Sequence, residues 1–122
     1  MNANDHRAAA EDIERANVDL GDPASKPYIR RTMIENYFGS AFHWIAYGTA
    51  TKHGQHKENH SRLPSYLNGL GEPRVAQDWQ TLESLRNGGW YGHQNDLSRV
   101  EAARDKWQEI RQWATSAGMP TP

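Results

Sequence analysis

The sequence contains no cysteine. Disulfides, thiol nucleophiles and thiolate metal sites are thereby excluded, and the composition fits a reducing compartment. Long apolar runs are also missing: no stretch approaches the roughly 20 residues needed to span a bilayer. The opening segment Met1-Asn2-Ala3-Asn4-Asp5-His6 is polar and lacks the apolar region of a signal peptide. A cytoplasmic protein with no membrane partner is therefore expected. Neither sign of charge dominates, since 14 Lys and Arg face 15 Asp and Glu for a formal charge of −1. That balance argues against broad, non-specific duplex binding but leaves room for a local phosphate site. There is no Walker-type or dinucleotide glycine loop and no serine in a nucleophile-elbow setting. Carboxylate pairs such as Glu11/Asp12 and Glu101/Asp105 fall on the polar faces of helices.

What is present is a helical pattern. The 122 residues suit one domain, 1–122, and five Trp and five Tyr supply large apolar surfaces where aliphatic residues are few. No segment alternates as a half-buried strand does, and there is no internal repeat. Ala9, Ile13, Ala16 and Leu20 form one stripe of a helix over about 5–20, closed by Gly21-Asp22-Pro23. With Ser25 as N-cap, a long helix over about 26–52 follows, carrying Ile34, Phe38, Ala41, Ile45 and Gly48 on one face, widened by Tyr37, Trp44 and Tyr47. Residues 53–61 are polar and read as a loop, followed by a short helix over about 62–68. Pro73 opens a helix with Val75, Trp79, Leu82 and Leu85 that should end at Gly88-Gly89. Val100, Ala103, Trp107, Ile110, Ala114 and Ala117 form the seam of a last helix over about 97–117. Its N-terminus offers a Ser98/Glu101 capping box, with Asn95 and Asp96 as alternative caps. The expected fold is all-α: a four-helix, up-and-down type bundle with an extra short helix.

The chemistry concentrates in Leu85-Arg86-Asn87-Gly88-Gly89-Trp90-Tyr91-Gly92-His93. A permanently charged guanidinium that grips phosphate in a fork stands on one side of a tight turn, and a group that exchanges protons near neutral pH on the other. Trp90 and Tyr91 between them are candidates for stacking on a base or for an interface. His53, His56 and His60, with Glu58 among them, have spacings that suit a metal. Gly54 and the polar surroundings favour a solvated loop instead, and neither a metal nor another cofactor is expected. His43, between Phe42 and Trp44, reads first as a structural histidine, and Lys26, Arg30 and Arg31 as a solvated basic face. Trp107 reads as core, and Trp113, off the seam, as a partner contact or a partly covered surface residue.

Two regions resemble the HEPN superfamily of small helical-bundle domains. The first is Tyr37-Phe38-Gly39-Ser40-Ala41-Phe42-His43 followed by Lys57-Glu58-Asn59-His60-Ser61. It is similar to that family's aromatic-and-small-residue helix with an inward His, then a Lys and His-Ser. The second is Arg86 to His93, similar to the family signature of an Arg, a polar residue (here Asn87) and a His a few positions later. The resemblance implies a metal-independent endoribonuclease, often a toxin, acting as a homodimer on RNA. On that pattern Arg86 holds the phosphate, His93 is general acid/base, Asn87 orients, and Trp90, Tyr91, His43 and His60 contribute to substrate binding. The resemblance equally implies a second outcome, a non-catalytic nucleotide-binding or scaffold module that partners a separate nucleotidyltransferase or antitoxin.

Overall fold

A computed structural model describes residues 1–90 and 96–116, with only the backbone for residues 88–90. It holds five helices: α1 (Ala3–Leu20), α2 (Arg30–His53), α3 (Leu63–Gly69), α4 (Pro73–Trp90) and α5 (Leu97–Thr115). Among the described residues there is no strand, and no helix is long and apolar enough to cross a membrane.

α1 begins at Ala3 rather than near Asp5 because Asn2 and Asp5 form a reciprocal capping box. Asn2 Oδ1 accepts the Asp5 backbone N–H at 2.8 Å, and the Asp5 carboxylate accepts the Asn2 N–H at 3.1 Å. The buried stripe differs from the expected one. Ala16 is exposed, while His6, Ala10 and Asn17 are buried. Two of these three are polar, and Asn17 is satisfied by donating to the Met33 carbonyl (3.1 Å) and accepting from Asn36 Nδ2 (2.8 Å). Ser25 caps no helix. A short 3-10 turn over Pro27–Ile29 precedes α2, and Arg30 Nε ties back to the Pro23 carbonyl at 2.8 Å.

α2 is the central element, packing against α1, α4 and α5. Its expected face is buried throughout, with Ile34, Phe38, Ala41, Ile45 and Gly48 all in the interior. Gly48 is required there. A Cβ on it would stand 2.5 Å from Trp113 Cζ3, so the indole of α5 lies directly on the α2 backbone. The Trp113 indole N–H is donated to Glu72. Ser40 joins three helices through one hydroxyl, which donates to the Ala10 carbonyl (2.9 Å) and accepts from Trp107 Nε1 (2.9 Å).

α4 does not stop at Gly88-Gly89 but continues to Trp90. Two glycines cost on the order of 1 kcal/mol each in a helix, and tertiary ties on the preceding turn offset this. Arg99 Nη2 donates to the Leu85 carbonyl at 3.1 Å, and Arg86 Nε to Glu35 Oε2 at 2.9 Å. α5 is capped by Asp96, which accepts the Arg99 N–H at 2.9 Å, rather than by Ser98, whose hydroxyl instead donates to Asp96. The helix ends at Thr115; Ala117 lies outside the described residues. One hydrophobic cluster draws on all five helices, with Trp44, Trp79, Ile45, Leu67, Leu82 and Ile110 fully buried. At its α4–α5 border the buried Asp78 carboxyl meets Glu109 and Lys106, the Lys106 ammonium lying 3.4 Å from Asp78 and 3.5 Å from Glu109.

Candidate functional site

Arg86 lies near the end of α4 with its side chain about one-third exposed. The Glu35 contact engages its Nε, and its guanidinium carbon stands 4.7 Å from the centre of the Phe38 ring. Phe38 in turn packs on Trp79 at 4.4 Å and meets the edge of His60 at 5.8 Å. His60 is exposed and also borders Phe42 at 6.3 Å. Arg86 and His60, far apart in sequence, thus both contact one phenyl ring, the cation over its face and the exposed imidazole edge to face with it. Asn87 is exposed. His93 and Tyr91 lie outside the described residues, as does the side chain of Trp90. No distance from Arg86 to His93 therefore enters the site.

His43 belongs to a second grouping. Its Nδ1 is 2.9 Å from Nδ1 of His6, and the two rings lie 5.2 Å apart. His6 is 1% exposed. The far side of its ring faces the loop after α2, where Glu58 Oε2 stands 3.5 Å from His6 Nε2 and His56 Nε2 lies 2.7 Å from Glu58 Oε1. His6 and His56 meet edge to face at 5.0 Å. Burial lowers the pKa of His6, with Glu58 opposing, and burial followed by the neighbouring His6 lowers that of His43. The hydrogen bond with His56, foremost among several contacts, holds the Glu58 carboxyl down at about 2. The result is a pair of neutral imidazoles beside an ionised carboxylate.

Of the sequence trio His53, His56 and His60, only His56 enters this grouping. His53 is exposed at the end of α2, and His60 sits on the Phe38–Phe42–Trp79 rings. The two groupings meet at Phe42, which is 6.2 Å from His6, 5.3 Å from His43 and 6.3 Å from His60. Sequence reading missed His6 as a site residue. The available signal was its spacing: His6, Ala10, Ile13 and Asn17 follow a helical three-four step, so the histidine falls on the face that α1 turns to α2.

A separate open groove of about 570 Å³ runs between α1, α2 and α5, lined in part by Glu14, Asn17, Tyr37, Arg104 and Trp107. It has no imidazole in its lining. Arg30 is occupied in holding the α1–α2 turn through the Pro23 and Ala24 carbonyls.

Comparison with protein-family models, with curated proteins and with solved structures gives no match for this chain.

Proposed function

We propose that the chain is a HEPN-like, metal-independent endoribonuclease, its four long helices forming an up-and-down bundle that pairs with a second copy. The observation that carries the reading is the seat of Arg86. Glu35 and Phe38 hold the guanidinium near the end of α4, and the same Phe38 ring meets an exposed His60. A single Nε contact uses one of the five N–H donors of the fork, so the rest can serve phosphate oxygens. In this reading an imidazole removes the proton from the ribose 2′-OH, whose oxygen attacks the adjacent phosphorus. The 5′-oxygen departs with a proton from a second imidazole, and Arg86 neutralises charge building on the phosphoryl oxygens. His93 and its copy in a dimer would supply the two imidazoles.

The test is RNA cleavage by purified protein in excess EDTA, comparing wild type with Arg86→Ala and His93→Ala. Cleavage by the wild type alone is the expected result. Activity that needs added metal, or that persists in both variants, refutes it.

One observation favours a second reading, a non-catalytic module that binds a nucleotide or a nucleotidyltransferase partner. The Glu35 carboxylate already neutralises part of the Arg86 charge, which suits binding better than strong transition-state stabilisation. Melting in the presence of a nucleotide panel separates the two. Stabilisation follows RT ln(1 + [L]/Kd) without RNA turnover if the second holds, and an unchanged melting temperature across the panel counts against its nucleotide version.

A further inference from the structure

We propose that His6, His56 and Glu58 form a binding site for one divalent transition ion of the zinc class, with His43 as its positioning residue. The site is independent of the ribonuclease reading. It joins α1 to the loop after α2, and its ligand atoms all lie within 4.8 Å of one another. A tetrahedral zinc with bonds of about 2.1 Å holds its ligands roughly 3.4 Å apart. Glu58 turns one oxygen to each imidazole, Oε1 at 2.7 Å from His56 Nε2 and Oε2 at 3.5 Å from His6 Nε2, while the Met1 carbonyl lies 3.0 Å from His56 Nε2 and the Met1 ammonium 3.3 Å from Glu58 Oε1.

The decisive observation is His6 Nε2. It is buried and makes no hydrogen bond, although Glu58 Oε2 stands 3.5 Å away. In the tautomer that leaves Nε2 unprotonated, its lone pair and the carboxylate oxygen are two acceptors opposed, an arrangement that a cation between them resolves. The contact with His43 permits that tautomer. When His6 Nδ1–H donates to His43 Nδ1 across their 2.9 Å contact, Nε2 is left unprotonated and turned towards Glu58 and His56. Metal-bound histidines are generally oriented through the opposite ring nitrogen in this way.

The donor set selects the ion. Two imidazoles and one carboxylate suit zinc, cobalt, nickel or copper rather than magnesium or calcium, which prefer oxygen. Three protein ligands leave a fourth position open to water. Because His6 lies on α1 and the other two ligands on the loop, an ion at this site also clips the two segments together.

The test is a cobalt(II) titration of the untagged chain, followed by the visible bands of four-coordinate cobalt, with zinc as competitor and circular dichroism to verify the fold. One ion per chain is expected. His56→Gln and Glu58→Gln, neither at a buried position, should each weaken binding more than about tenfold, while His53→Gln should not change it. His43→Leu should weaken binding and move the His6 tautomer in ¹⁵N spectra, and His43→Asn, which keeps an acceptor near the same place, should restore both. Absence of uptake at millimolar cobalt overturns the proposal. So does binding that survives His56→Gln and Glu58→Gln, or that falls equally with His53→Gln, since each would mean opportunistic uptake by a histidine-rich loop.

Discussion

Asp78 is a group whose ionisation this fold resists, and Asp78→Asn tests that directly. The carboxyl is 6% exposed on α4, facing Glu109 and Lys106 of α5. Burial, helped by the hydrogen bond shared with Glu109, raises its pKa from 3.8 to about 6. A folded-state value above the unfolded one means that the folded chain binds more protons between the two. The contribution to stability is thus fully present at low pH and is lost as pH rises through about 6. For a lone group a change of this size corresponds to about 3 kcal/mol. Glu109, whose pKa is lowered by the same shared proton, contributes with the opposite sign, so we expect about 1–2 kcal/mol for the pair. An asparagine at 78 keeps a donor for Glu109 and never ionises. Urea unfolding of both proteins at pH 5 and pH 7.5 should therefore show Asp78→Asn gaining about 1–2 kcal/mol on the wild type between the two conditions. A gap that stays constant, or that shrinks as pH rises, refutes the account.

Gly48→Ala should lower stability by about 1 kcal/mol, because overpacking against Trp113 (about 1–3 kcal/mol) exceeds the gain in helix propensity (about 1 kcal/mol). Calorimetry should show a fall in Tm of roughly 4 °C for a chain of this length, and in a Trp113→Leu background the same change should become stabilising. Ser40→Ala removes a buried acceptor from Trp107 and a donor to the Ala10 carbonyl, with an expected cost of about 1–3 kcal/mol in denaturant unfolding. A cost below a few tenths of a kcal/mol would mean that the three-helix junction adds nothing. RNA cleavage and cobalt binding supply the two functional tests.

The helices were legible because their signals are local. The stripe of α2 from Ile34 to Gly48, the alternating seam of α5 and the proline and glycine stops each lie within a few turns of chain. The misplaced details have tertiary causes. α4 continues past Gly88-Gly89 because Arg99 and Glu35, from α5 and α2, hold the turn before the glycines at Leu85 and Arg86. The buried stripe of α1 was misread because two of its positions, His6 and Asn17, are polar and are buried only by virtue of partners on α2. The same reason hid the imidazole grouping. His53, His56 and His60 suggest a cluster by their spacing, but loop geometry sends them apart, and the histidine that joins His56 comes from the first helix. Arg86 was legible as a candidate cation. Its pairing with Glu35 and its place beside His60 across Phe38 were not, because no local periodicity links α2, the loop and α4.

α1 differs from the other long helices in having one principal neighbour, α2, whereas α2, α4 and α5 each pack against at least two helices. Its ties beyond α2 are single contacts, such as Glu14 with Arg111 at 3.3 Å and His6 with Glu58 at 3.5 Å. With one principal helix neighbour, α1 is expected to open as one unit, its amides exchanging with solvent as a cooperative group ahead of those in α2 and α5. Because His6 travels with it, the imidazole grouping is assembled and dismantled in that single step, not one side chain at a time.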